Sequence, residues 1–285
     1  MEKNTAVVNL DPAFSPYGES DFKVKVFPFP SKVEMGVKID IPEITPVTIT
    51  TRLKSSDDIM TLLNATDALR QAGIKEISLF MPFVPYARQD RVMVPGEALS
   101  IKVFAKLINT QGYDRVTIFD PHSDVTPALI DNAYVINNHE FVKLALKDME
   151  NYIIISPDSG AFKKVFKVCQ AIGYNERVAL CNKVRTLANG NIEHLSFDVQ
   201  SFEGKDAVII DDICDGGATF IALATELKKR DAGKVHLIVS HGIFSRGVNN
   251  LLNSGVDTIT TTDSFKDIGA FENVRQIKLA EIIKK

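Results

Sequence analysis

Short runs of β-branched and other apolar residues alternate with amphipathic helical stretches along most of this chain, which leaves few folds open. The strand-like runs fall at residues 47–50, 77–80, 115–119, 152–156, 178–181, 207–211, 235–240 and 257–261. Helical periodicity fills 57–71, 100–111, 140–149, 160–172, 218–230 and 248–253. Apolar strands separated by helices predict parallel sheets covered on both faces. The series runs twice, with a break near residues 138–150. The expected fold class is therefore α/β, with two tandem domains of similar build at 1–142 and 143–285, each a mostly parallel sheet flanked by helices. The first twenty residues, with Pro12, Pro16 and Gly18, are poorly periodic, and little structure is expected of them.

Composition narrows the partners. Apolar residues make up 45% of the chain and charged ones 24%, enough for two cores without disulfides or structural metal. The net charge of −3 gives no positive field to hold a nucleic-acid backbone, so no nucleic-acid partner is expected. No apolar run approaches the roughly 18 residues of a membrane span. The start, Met1 to Thr5, lacks a basic flank and apolar run, so no secretory signal is expected. Cys169, Cys181 and Cys214 are an odd number without a CxxC pair; they fit a reducing, cytoplasmic setting and small buried apolar roles.

The most informative segment lies at 207–219. Ala207-Val208-Ile209-Ile210 is a buried strand that is expected to end in Asp211-Asp212, followed by Ile213-Cys214-Asp215-Gly216-Gly217-Ala218-Thr219 and a helix. Adjacent carboxylates at a strand end can accept hydrogen bonds from vicinal sugar hydroxyls. The glycines allow a tight turn whose N–H groups, with the helix N-terminus, face a phosphate. Thr219 offers one hydroxyl. An acid-capped turn is the plain alternative.

This segment resembles the ribose-phosphate loop of type I phosphoribosyltransferases. Four further segments, in order, narrow the resemblance to the ribose-phosphate pyrophosphokinases, also called phosphoribosyl diphosphate synthetases. They are Phe83-Val84-Pro85-Tyr86-Ala87-Arg88-Gln89-Asp90-Arg91, Asp120-Pro121-His122-Ser123, Ser156-Pro157-Asp158-Ser159-Gly160 and His241-Gly242-Ile243-Phe244-Ser245. The resemblance implies two phosphoribosyltransferase-like domains and an enzyme using ATP as co-substrate with Mg²⁺. It implies transfer of the β,γ-diphosphoryl group to the anomeric hydroxyl of a 5-phosphorylated ribose, releasing AMP. A homo-oligomer, dimeric or larger, is implied as well.

Residue by residue, it assigns ATP binding to Arg88, Gln89 and Asp90, and to Glu34 of a more weakly matched adenine loop in which Lys32 replaces Asn. His122 and Asp158 would ligate the metal, although imidazole is not a preferred ligand of a hard cation. Asp158 could also be a simple helix cap. The sugar and its phosphate would be held by Asp158, Asp211, Asp212, Asp215, Gly216, Gly217, Ala218 and Thr219. Lys183 and Arg185, after the strand at 178–181 and before the polar loop 186–193, match the family's catalytic loop. Two cations there would stabilise charge spread over the transferring phosphates.

The departures are equally specific. The family usually reads Asp-Thr-x-Gly-Thr where this chain has Asp215-Gly216-Gly217-Ala218-Thr219, so one hydroxyl donor is missing and the loop is more open. The loss should weaken ribose 5-phosphate binding by about 1 kcal/mol. A diphosphate bridge carries less charge per phosphorus and needs room to continue outward. The acceptor is thus either ribose 5-phosphate or ADP-ribose, the latter as in the short phage members of the family, with a product that feeds NAD synthesis. The charged segment that usually follows Asp90 is Arg91-Val92-Met93-Val94-Pro95-Gly96-Glu97, which predicts weak phosphate activation. The short ending at Lys285 makes the usual hexamer contacts doubtful. The rival reading is a non-catalytic regulatory homologue, disfavoured by retention of Arg88, His122, Asp158, Lys183 and Arg185.

Overall fold

The computed structural model describes residues 5–31, 33–185 and 192–283. It divides into two compact units: the described residues up to Asn137 with those from Leu279 onward, and Asn138–Lys278. These units differ from a division at 142/143 at the junction and in the final helix, which belongs with the first unit.

In the first unit the elements are β1 (Ala6–Asn9), β2 (Lys23–Pro28), β3 (Met35–Asp40), β4 (Val47–Thr50), α1 (Ser56–Gln71), β5 (Ile77–Phe80), α2 (Ser100–Asn109), β6 (Arg115–Phe119), α3 (Val125–Leu129) and β7 (Ala133–Ile136). Strands β1-β4-β5-β6-β7 form an all-parallel sheet in that order, and β2 and β3 form an antiparallel hairpin. All four residues of β4 are buried, as a parallel strand covered on both faces requires. Helix α1 starts at Ser55, whose Oγ accepts from Asp58 N at 3.2 Å while donating to Asp58 Oδ2 at 2.8 Å. Asp57 and Asp58 in its first turn and Arg70 in its last complement the helix dipole.

The first twenty residues are more structured than their periodicity suggests. Strand β1 pairs with β4 along its whole length, and Phe14 is completely buried against Phe80, with ring centroids 5.9 Å apart. Long-range pairing with β4, more than the local pattern, decides the conformation of β1.

The second unit contains α4 (His139–Leu146), β8 (Tyr152–Ser156), α5 (Ser159–Ile172), β9 (Ala179–Arg185), β10 (Ile192–Phe197), β11 (Asp206–Cys214), α6 (Ala218–Lys229), β12 (Val235–Gly242), α7 (Val248–Leu252), β13 (Thr258–Thr262) and β14 (Val274–Ile277); α8 (Leu279–Ile283) returns to the first unit. The sheet order is β10-β9-β8-β11-β12-β13-β14, parallel throughout except where β10 runs antiparallel to β9. Its core is built on β11, with Ala207 and Ile209 packed against Phe220, Leu223 and Leu227 of α6. Helix α5 opens on Asp158 and closes on Gly173, whose φ of 76° is the left-handed cap geometry that favours glycine.

Candidate active site

In open α/β sheets ligands bind beyond the carboxyl ends of the strands, where the strand order reverses. In the second unit that reversal lies between β8 and β11: β9 and β10 extend the sheet to one side, β12 to β14 to the other. The carboxyl ends of β8, β11 and β12 and the segments after them carry Asp158, Asp211 to Thr219 and His241 to Arg246.

Strand β11 continues to Cys214, so Asp211 and Asp212 lie within it and not at its end. The extension is anchored by pairing of Ile213 with His241 and Cys214 with Gly242. Their environments differ. Asp212 is buried, and Lys164 Nζ of α5 lies 3.7 Å from its Oδ2. Its Oδ1 accepts from Ile213 N at 3.0 Å. Asp211 is half-buried, and its Oδ1 accepts from Asp212 N at 2.9 Å. Burial pushes the Asp211 carboxyl well above the usual carboxylate range, and the charges of Asp212 and Asp158 push it the same way. A carboxylate crowded by two others is poised to accept hydroxyl donors or a cation; one already neutralised by a lysine is less so.

The loop beyond Asp211 turns at Gly217, which caps α6 with a φ of 80°. A side-chain carbon at Gly217 would also come within 2.9 Å of Leu251 Cδ2, so this position needs glycine twice over. Helix α6 begins at Ala218 with no side-chain cap, and Thr219 lies inside its first turn instead of initiating it. The N–H groups of Gly216, Gly217, Ala218 and Thr219 have no partner among the described residues. Such a run of open amides at a helix N-terminus suits a phosphate. Carbonyls on the other side of the loop are occupied: Cys214 O accepts from Ile243 N and Phe244 N at 2.9 and 3.0 Å, and Asp215 O from Ser245 N at 3.2 Å.

Asp158 is the N-cap of α5, its Oδ1 accepting from Ala161 N at 2.9 Å, while its charge is felt by Asp211. His241, within β12, which runs on to Gly242 instead of ending at residue 240, is buried with Nδ1 2.7 Å from Ser264 Oγ. Ser264 Oγ and Thr262 Oγ1 both donate to Ser240 O, at 3.0 and 2.7 Å. That network fixes the end of β12. The cysteines are free and buried, and burial raises Cys214 to about 12.

The nucleotide-type residues sit in the first unit. Arg88 and Gln89 are exposed in the segment after β5, with Gln89 Oε1 accepting from Ser100 Oγ. The side chain of Asp90 is buried beneath Arg91, whose Nε donates to Asp90 Oδ1 at 3.0 Å. Burial opposes its ionisation, yet the hydrogen bond from Arg91 and the charges of Arg91 and His122 hold Asp90 below the usual carboxylate range. Asp90, Arg91 and His122 are therefore brought together, and Asp90 faces these groups more than open space. Glu34 is exposed just before β3, its carbonyl accepting from Phe29 N at 2.9 Å.

Lys183 and Arg185 lie within β9 and do not follow it, paired in the backbone with Leu195 and Ile192 of β10. Their side chains, the loop at 186–191 and Lys32 are outside the described residues. Among the described residues no group of three or more His, Cys, Asp or Glu is arranged to hold a metal ion. The half-buried carboxylate of Asp211 still fits Mg²⁺, which takes one or two carboxylates and completes its shell with water and phosphate oxygens. Lys164 and Arg246 escaped the sequence reading. The available signals were a basic residue two turns into the helix after Ser-Pro-Asp, and one directly after His-Gly-Ile-Phe-Ser.

A parallel sheet with an acidic strand feeding a glycine turn at a helix N-terminus, as in the second unit, defines the phosphoribosyltransferase class, and the first unit shares its parallel α/β build. A phosphoribosyl transferase domain matches residues 128–274, and the N-terminal domain of ribose phosphate pyrophosphokinase matches residues 33–112. The ribose-phosphate pyrophosphokinases of Vibrio cholerae and a Marinomonas species are each 32% identical over 240 residues, covering 80% of this chain and 74% of theirs. That of Mycoplasmopsis pulmonis is 29% identical over 235 residues, covering 80% and 71%. The crystal structure of phosphoribosylpyrophosphate synthetase from Mycobacterium smegmatis shares the fold, with a TM-score of 0.83 at 20% identity over 99% of this chain and 96% of that one. The chain belongs to the ribose-phosphate pyrophosphokinase family and is a transferase enzyme.

Proposed function

We propose that the enzyme transfers the β,γ-diphosphoryl group of Mg²⁺-ATP to the anomeric hydroxyl of ADP-ribose, releasing AMP. Diphosphoryl transfer from ATP to a ribose phosphate is the chemistry carried by the names of its relatives. The observation that carries the acceptor is the loop at Asp215 to Thr219. It offers backbone amides and one threonine hydroxyl, with no side chain at Gly216 and only a methyl at Ala218. A terminal phosphate dianion gains from every added donor. An internal phosphate of a diphosphate bridge needs fewer donors and an open exit.

In this reading the Asp211 carboxylate accepts from the sugar hydroxyls and Asp212 holds the strand end through Lys164. Asp215 and the amides of Gly216 to Thr219 seat the 5-phosphate. Arg88 and Gln89 bind ATP, with Asp90 holding Arg91 and the His122 loop in place and Glu34 meeting the adenine. Lys183 and Arg185 would stabilise the charge that spreads over the transferring phosphates. Asp158 and Asp211 of the second unit would hold Mg²⁺, which would neutralise charge on the diphosphate. The anomeric oxygen attacks the β-phosphorus as the bond to the α-phosphate breaks, and catalysis rests on positioning and charge stabilisation.

Purified protein incubated with Mg²⁺-ATP and either acceptor, with AMP as readout, tests this. AMP should form faster with ADP-ribose. Equal or faster turnover of ribose 5-phosphate removes the ADP-ribose assignment, and no AMP with either removes the reaction.

A further inference from the structure

Arg246 stands at the tip of a tight turn beside the open side of the phosphate loop. The turn is stiff. Phe244 holds a φ of 44°, and its buried ring fills the space where a side chain on Gly242 would be, 2.2 Å from that carbon's position. Gly247 N donates to Phe244 O at 3.0 Å, and Ser245 N ties the turn to Asp215 O at 3.2 Å. Arg246 is thereby fixed to the same backbone that presents the amides of Gly216 to Thr219.

Its side chain runs over Gly216. A side-chain carbon there would lie 3.7 Å from Arg246 Nε, 3.8 Å from Arg246 Cδ and 3.9 Å from Ser245 Oγ. The guanidinium is exposed and makes no hydrogen bond or ion pair among the described residues. Lys164, by contrast, faces Asp212. An unengaged guanidinium next to open amides is built for a phosphate oxygen.

We propose that Arg246 is the specificity residue for the acceptor. Its guanidinium grips the second, outer phosphate of a ribose whose 5-oxygen carries a diphosphate bridge, while the amides of Gly216 to Thr219 take the inner phosphate. The proposal rests on the ADP-ribose reading and assigns its discrimination to one side chain. A ribose 5-phosphate has one phosphate, which the amides hold, and gains less from a cation one group further out. Gly216 leaves the path between the two phosphates clear.

The test compares kcat/KM for ADP-ribose and for ribose 5-phosphate, by AMP release, in wild type, Arg246→Ala, Arg246→Lys and Gly216→Thr. Arg246→Ala should lower the ADP-ribose to ribose 5-phosphate ratio by about tenfold or more, mainly through KM, and Arg246→Lys should recover part of it. Gly216→Thr adds a hydroxyl at ordinary contact distance from Arg246 and should move the ratio the same way. Melting temperatures should not change with Arg246→Ala, because the side chain is exposed and makes no bonds. If wild type uses ADP-ribose but Arg246→Ala lowers both substrates equally, or neither, the role of Arg246 is overturned and the acceptor stands. If wild type uses only ribose 5-phosphate, both fall.

Discussion

Lys164 Nζ lies 3.7 Å from Asp212 Oδ2, and this pair divides two adjacent acids between different tasks. Asp212 is buried and neutralised; Asp211 is half-buried and crowded by negative charge. Lys164→Met withdraws the cation from a buried carboxylate. It should cost on the order of 1–3 kcal/mol, with some water reaching Lys164 in the native state. That is a fall in Tm of roughly 4 °C per kcal/mol, read by thermal unfolding. An unchanged Tm with abolished turnover would instead make Lys164 a substrate ligand.

Asp211 titrates higher in the folded chain than in the unfolded one, so the folded state holds more protons once pH exceeds the ordinary value of about 4. Its contribution to stability is therefore full at acid pH and is lost as pH rises through the raised value. Asp211→Asn should unfold at higher temperature than wild type at neutral pH, the difference closing near pH 4. The same variant should lose turnover by about 10²-fold or more, because an amide cannot replace the carboxylate toward hydroxyls and cation. Tm measured across pH, with the AMP assay, checks both.

Asp11 shows the opposite sign. Burial would raise its carboxyl, but hydrogen bonds from Arg52 and Lys54, at 2.7 and 2.8 Å, lower it to about 2. This stabilisation is present above the unfolded value and is lost as pH falls toward 2. Asp11→Ala removes the carboxylate from the buried Arg52 guanidinium, at a cost of about 3 kcal/mol. Wild-type stability should fall between about pH 4 and 2 and the gap to Asp11→Ala should narrow over that range, read by unfolding as a function of pH.

At Gly217, a substitution to Ala meets both the positive φ and Leu251. The cost should be about 1–3 kcal/mol, and acceptor KM should rise as the amides are displaced. Gly216→Ala, with no positive φ and only ordinary contacts, should be close to neutral for stability. Denaturant unfolding of the two variants separates them.

Lys183→Ala should lower kcat by about 10²–10³ with substrate binding and Tm nearly unchanged. Loss of the folded state would give Lys183 a structural role. Single-turnover kinetics beside equilibrium binding of ADP-ribose distinguishes the two.

Much of the architecture was legible because long helices and buried strands repeat a pattern. The strands at Val47–Thr50, Ile77–Phe80, Arg115–Phe119 and Tyr152–Ser156 run where the β-branched residues are. The short strands Ala6–Asn9, Ala133–Ile136 and Val274–Ile277 went unread, since they owe their conformation to distant partners in the sheet. Adjacency does not reveal how Asp211 and Asp212 differ: the strand continues through both, and Lys164, far along the chain, lies against only Asp212 among the described pairs. Arg246 is a single basic residue in a loop, and only its approach to Gly216 gives it meaning.

The most direct measurement is phosphorus NMR of the products formed from Mg²⁺-ATP and an equimolar mixture of ADP-ribose and ribose 5-phosphate. AMP should appear together with a new diphosphate on the anomeric carbon of ADP-ribose as the main product. Release of ADP in place of AMP, or a diphosphate found mainly on ribose 5-phosphate, would contradict it.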